Sequence, residues 1–315
     1  MPSFSVLPGV KVLLFLDLPS GAGLSIVNSL RRNAEQLKDQ ALMSNVRSFG
    51  IALAAFLAAS NVQAQFATSV VSFNQGDTTD LVAGYTNSGA VLGAPTTYIG
   101  YQNSDPFNPP YANTDIVGLG AGGSLTVQFS APILNSPGNP YGIGFMIFGH
   151  AGFQITNGNY SGGGITDGTF FQGGVATTRV SVSADGVHFY TLDPTRAPNA
   201  DGLFPIDSSG NFLTPVNPAL TAADFAGKDL NGIRALYNGS GGGTGYDLAW
   251  AQDSGGNSVL LSSVDYVRVD VLSGYAYLDA FSVVPEPSVC TLAGLGSWWF
   301  VFAKLRRNRT GTGKI

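Results

Sequence analysis

Only 11% of the 315 residues are charged, against about a quarter in ordinary globular domains. There are two histidines and one cysteine, Cys290. A lone cysteine excludes internal disulfides, Cys-rich zinc sites and a dithiol redox pair. No lysine or arginine occurs between Arg47 and Arg179, so a long stretch of chain has nothing with which to hold phosphate. Residues 65–287 carry five basic side chains against seventeen acidic ones, sixteen of them Asp, for a net charge of −12. A body so acidic repels phosphate backbones, which excludes nucleic acid as a partner. The 42 glycines have no three-residue period, so the chain is not collagenous. Its 44% hydrophobic content also exceeds what a disordered chain carries.

The basic residues gather at the two ends, five through Arg47 and five from Lys304 onward. At the first end, residues 43–47 form a short positive segment and 49–59 an apolar run. Val62-Gln63-Ala64 then offers small residues at the positions a signal peptidase reads. Residues 43–64 are therefore expected to be a secretory signal peptide cleaved after Ala64. On this reading translation starts at Met43, and 1–42 is an upstream extension outside the product.

At the other end Pro285-Glu286-Pro287 precedes an apolar run at 289–303, and Lys304, Arg306, Arg307 and Arg309 follow it. Each proline fixes φ and drives its predecessor out of the helical region, so the motif is a stiff extended segment around one carboxylate. The apolar run reads as a single anchor helix, just long enough to reach across a membrane, with the basic cluster as its cytoplasmic stop. Residues 285–309 resemble the PEP-CTERM sorting tail of exported bacterial proteins. That resemblance implies an exosortase as processing partner, transient anchoring in the inner membrane of a Gram-negative-type bacterium, and delivery to the cell surface or extracellular matrix.

Between the two ends, residues 65–284 alternate β-branched and aromatic segments with Gly, Pro and Asn turns. Strands are expected at 66–73, 97–101, 124–130, 141–148, 179–184, 187–192, 264–272 and 275–284. The sole helical candidate is 221–224, with Thr221 as cap and Asp224 at the third position. The expected fold is all-β, an antiparallel jelly-roll sandwich, with 193–224 as a surface insert. Asp185-Gly186 suits a two-residue type I′ hairpin turn, a register that places Val182 opposite Phe189 and Ala184 opposite Val187. Segments 122–129, 144–149, 180–190, 245–249, 264–269 and 278–284 are similar in order to exported bacterial surface proteins with a galactose-binding-type jelly roll.

The glycine runs at 118–123 and 239–245 lack a P-loop lysine and read as turns. No Gly-x-Ser-x-Gly elbow nominates a serine for His150 or His188, which are expected on a loop and a strand surface. Carboxylate pairs for glycoside hydrolysis would have to be Asp with Asp, and no local motif selects a pair. Most aspartates, including Asp185 and Asp201 before glycine, read as turn formers.

Calcium is the cofactor that oxygen-rich loops of this composition would take, with Asp77, Asp80, Asp247 and Asp279 as candidate ligands. Asp279 stands where the resemblance places a metal-binding aspartate. Tyr101, Tyr111, Tyr246 and Trp250 are the candidate aromatics for a carbohydrate groove. Three functions are consistent with these features. The leading one is a non-enzymatic, exosortase-processed surface protein associated with extracellular polysaccharide. The second is a carbohydrate-binding module with an aromatic groove, and the third an Asp-based glycoside hydrolase.

Overall fold

The computed structural model describes residues 65–171 and 175–286, together with the backbone of two short strands near the start of the chain. Those two, β1 (Ser5–Leu7) and β2 (Val10–Lys11), pair antiparallel within a unit of their own. The body follows in chain order: β3 (Ser69–Asn74), β4 (Val117–Gly120), β5 (Ser124–Leu134), β6 (Phe145–Gly149), β7 (Gly152–Phe153) and β8 (Phe170–Phe171). After these come β9 (Thr177–Ser183), β10 (Tyr190–Leu192), helices α1 (Ala222–Phe225) and α2 (Leu230–Tyr237), β11 (Thr244–Tyr246), β12 (Ala251–Gln252), β13 (Ser263–Ser273) and β14 (Tyr275–Val283).

Two antiparallel sheets face each other, six strands in the order β12-β10-β9-β13-β5-β3 and four in the order β11-β6-β14-β4. The alternation that strands require is plain in the sequence. Leu125, Val127 and Phe129 of β5, Val180 and Val182 of β9, and Val267, Val269 and Val271 of β13 all turn inward. They meet Leu119, Ile147, Leu278 and Phe281 from the smaller sheet in the main core. The opposite face of the larger sheet is polar, and there Arg179 and Arg268 both hold the Asp270 carboxylate, at 3.1 and 2.7 Å. The body is thus an antiparallel all-β sandwich with little helix.

Several expectations need correction. Residues 193–224 are no surface excursion, because Phe204, Ile206, Asp207 and Val216 are buried. Phe204, Val216 and Phe225 join Phe107, Phe153, Ile233 and Tyr237 in a second core. Phe212 meets Phe148 of β6 edge-on at 5.5 Å, which lays this segment against the outer face of the smaller sheet. The expected hairpin turn is also longer than two residues. Val182 pairs with Tyr190 instead of Phe189, and both Ala184 and Val187 are exposed. Asp185 causes this, since its Oδ1 accepts the backbone N–H groups of Val187 and His188, both at 2.8 Å, and so builds a wider loop. His188 accordingly sits on that loop beside Asp185, at 2.7 Å, and not on a strand. Residues 97–101 make one isolated bridge, Tyr98 to Asn103, and 140–142 is a 3-10 turn preceding β6.

The capped turn at 221–224 is α1, where the Asp224 carboxylate accepts from the Thr221 N–H and hydroxyl. Helix α2 is an addition to the expected elements. Asp229 caps its start by accepting from Gly232, and Asn238 ends it in the left-handed region. Arg234 of α2 reaches back to Asp207, at 2.7 and 3.0 Å, and the Asp207 side chain is 1% exposed. Truncating Arg234 leaves that charge buried without its partner. Arg234→Ala is therefore expected to lower stability by about 2 to 4 kcal/mol, somewhat below a fully buried pair because the guanidinium is half-open to water. Arg234→Lys should lose less. Urea denaturation of the three proteins checks this, and an unchanged midpoint in the alanine variant contradicts it.

Candidate functional site

Strand β14 carries Tyr275 and Tyr277 two residues apart, so both leave the same face of the smaller sheet, opposite to Ala276 and Leu278 in the core. Across from Tyr277 on β4 stands Gly118. A β-carbon there would come within 3.0 Å of the Tyr277 ring and 3.2 Å of Tyr85, so glycine lets the two rings lie over the strand. The rings of Tyr85 and Tyr277 meet edge-on at 4.9 Å, Tyr275 and Tyr277 at 5.7 Å, and His150 and Tyr277 at 5.4 Å. Edge-to-face packing of this kind is favoured by the ring quadrupole and fixes each ring's tilt. The Tyr277 hydroxyl accepts the Val82 N–H at 2.9 Å, which pins the 78–85 loop to the sheet.

Above this floor is a cleft of about 410 Å³. Tyr101 and Tyr111 form its outer lip, 63% and 44% exposed, with ring centroids 6.5 Å apart. The Tyr85 hydroxyl donates to the Tyr111 carbonyl and so joins lip to floor. Val82, Ile99, Phe107, Pro109 and Phe171 supply apolar wall, while Asp80, Asn108 and His150 supply polar groups.

His150 follows β6 and is buried. Its Nδ1–H donates to the Pro110 carbonyl, and burial holds the ring's pKa below the usual histidine value. The ring is then neutral, with Nε2 as its remaining acceptor. Beneath the cleft, Asp201 is wholly buried and ties two of its walls together. Its Oδ1 accepts the His150 N–H and its Oδ2 the Tyr277 N–H, each at 3.1 Å. Burial pushes the Asp201 carboxyl up to about 6 despite these bonds. Gly149 makes the approach feasible, because a β-carbon there would lie 2.4 Å from Asp201 Oδ1. Asp201 is thus an internal clamp and no turn former.

Of the four aromatics expected in a groove, Tyr101 and Tyr111 come together here. Tyr246 does not, since it is buried in the main core and stacked on Phe145 at 5.1 Å. Trp250 also lies elsewhere, half-buried against the core with Arg196 over its ring at 5.3 Å. Tyr85, Tyr275 and Tyr277, which line the cleft, and Asp201 beneath it join the candidate site without having been expected there from the sequence. The one signal available was the Tyr-Ala-Tyr alternation at 275–277, which puts both rings on one face.

The four aspartates proposed for calcium are not brought together, and among the described residues no three His, Cys, Asp or Glu side chains converge to hold a metal. Each carboxylate except Asp80 has local work. Asp77 accepts from Thr79, Asp247 caps a 3-10 turn through Ala249, and Asp279 takes the Thr96 N–H at 2.9 Å and its hydroxyl at 2.6 Å. Burial pushes the Asp279 carboxyl up to about 7.

Pro285 and Glu286 leave β14 as exposed, irregular chain. Pro287, the apolar run at 289–303, the basic residues Lys304, Arg306, Arg307 and Arg309, and the signal segment 43–64 lie outside the described residues. Among the described residues no helix is long and apolar enough to cross a membrane.

No family model matches the chain, and no curated protein matches it. Among solved structures the chain is similar to a pectin-binding carbohydrate-binding module determined in a monoclinic crystal form. The two share 7% identity with a TM-score of 0.21, over 55% of this chain and 73% of that one. At that TM-score the likeness fixes neither strand order nor ligand.

Proposed function

We propose that this chain is an exported, non-enzymatic surface protein whose sandwich holds a saccharide in the tyrosine cleft. The observation that carries the reading is the convergence of five tyrosines on one open cleft, with Tyr101 and Tyr111 exposed to water at its lip. Exposed aromatic rings cost free energy in contact with water and recover it against the apolar C–H face of a sugar ring. Hydroxyls at the sugar's rim find acceptors and donors in Asp80, Asn108 and His150, the few convergent polar groups that ligand sites use. Export and exosortase processing rest on the sequence of residues 43–64 and 285–309, and an association with extracellular polysaccharide follows from both parts. The binding reading is favoured over hydrolysis because Asp80 is the one carboxylate among the described cleft-lining residues, whereas glycosidases work with two.

Affinity electrophoresis against a panel of polysaccharides tests this. Tyr101→Ala and Tyr111→Ala are each expected to weaken binding about thirtyfold, the cost of losing an aromatic anchor of about 2 kcal/mol. Trp250→Phe should leave binding unchanged and no reducing ends should be released. Retention of full affinity in both tyrosine variants, or loss in Trp250→Phe, contradicts the assignment.

A further inference from the structure

Fourteen of the sixteen aspartates in the body accept hydrogen bonds from neighbouring backbone or side-chain groups, which explains them as structural. Among the described residues, Asp80 and Asp265 are the two that accept none. Asp265 lies on β13 away from the cleft, whereas Asp80 is exposed at the edge of the tyrosine cleft. It is set there by a tight turn, in which the Leu81 N–H bonds the Thr78 carbonyl, and by the bond from the Val82 N–H to the Tyr277 hydroxyl. Its carboxylate is therefore free of internal hydrogen bonds in a cleft that five tyrosines line, and the chain just after it is anchored to the cleft floor through Val82.

An uncommitted carboxylate next to tyrosine rings is a receptor for a cation. An ammonium gains Coulomb energy from the carboxylate and is further attracted to the negative face of an aromatic ring. The His150 ring offers Nε2 as an acceptor, and burial disfavours its charged form. None of the described side chains lining the cleft is Lys or Arg, so a uronate would meet a carboxylate with no counter-charge. The body's net charge of −12 adds long-range repulsion of polyanions and attraction of polycations.

Resting on the reading of the cleft as a saccharide site, we infer that its ligand is an amino sugar with a free ammonium, paired to Asp80 and seated on the tyrosines. A partly or fully de-N-acetylated glucosamine polymer is that chemistry, and polyuronates are refused.

The experiment compares the full chain, purified, against a glucosamine oligomer, its N-acetylated counterpart and an oligogalacturonate by titration calorimetry at pH 6 in low salt. The free-amine oligomer is expected to bind at least tenfold tighter than the acetylated one, with no binding of the uronate. Asp80→Asn should remove that preference, while Asp265→Asn, which changes the net charge equally, should keep it. Equal or tighter binding of the acetylated oligomer overturns the inference and leaves the saccharide site standing. Loss of the preference in both variants overturns it too, because the attraction would then be the diffuse field of the body. Binding of none of the three oligomers, or of any other glycan in the panel above, removes the saccharide reading itself.

Discussion

The midpoint of urea unfolding should fall by about 2 M between pH 5 and pH 8, opposite to the usual behaviour of a protein whose aspartates are stabilised as anions. Two buried carboxyls cause it. Asp201 and Asp279 have folded-state values of about 6 and about 7, raised by burial, while an aspartate in the unfolded chain titrates near 3.9. Between those limits the folded state holds protons that the unfolded state has released. Their contribution to stability is complete below about pH 4 and is lost as pH rises through 6 and 7. Each unit of raised pKa corresponds to about 1.4 kcal/mol, so the pair together remove on the order of 7 kcal/mol between pH 4 and pH 8, about 4 kcal/mol of it above pH 5. Exposed aspartates such as Asp77, Asp167 and Asp253, whose values are lowered by local hydrogen bonds, act the other way below pH 4. Stability should therefore peak near pH 4.5. Asp279→Asn should flatten the slope, since its carbonyl still accepts the Thr96 N–H and its amide donates to the Thr96 hydroxyl. A midpoint equal or higher at pH 8 in the unmodified protein would show that these carboxyls are not held as described.

Tyr277→Ala is expected to cost about 3 to 5 kcal/mol, the range for removing a large aromatic from a packed site. Tyr277 is 5% exposed and touches the rings of Tyr85, His150 and Tyr275, so its loss empties the floor of the cleft. Tyr277→Phe keeps those contacts and loses the bond from the Val82 N–H, about 1 kcal/mol. The two variants separate packing from hydrogen bonding in one denaturation series. If phenylalanine costs as much as alanine, the ring contacts are not what holds the 78–85 loop on the sheet.

The long strands were readable because their inward valines and leucines alternate with polar residues, as in 124–129 and 266–271. What the pattern could not show is which face of a strand a third layer covers. Tyr246 and Trp250 have the same composition signal as Tyr101 and Tyr111, yet residues distant in sequence bury the first pair partly or wholly and leave the second pair open. Helix α2 was hidden by Gly232, a poor helix former at its third position, although its caps at Asp229 and Asn238 were legible. The hairpin at 183–189 departs from the two-residue turn that Asp-Gly suggests because the Asp185 carboxylate accepts the backbone N–H groups of Val187 and His188. Asp201 and Asp207 each precede or lie in turn-like sequence, and their partners stand from 27 to 76 residues away. No local window contains such pairs.

The most direct measurement is a crystal structure of the protein with a bound oligosaccharide from the panel. A sugar ring is expected against Tyr101 and Tyr111, with polar contacts to Asp80 or His150 and with Tyr277 unmoved beneath it. A sugar seated instead beside Trp250 or on the polar face of the six-stranded sheet would contradict that expectation.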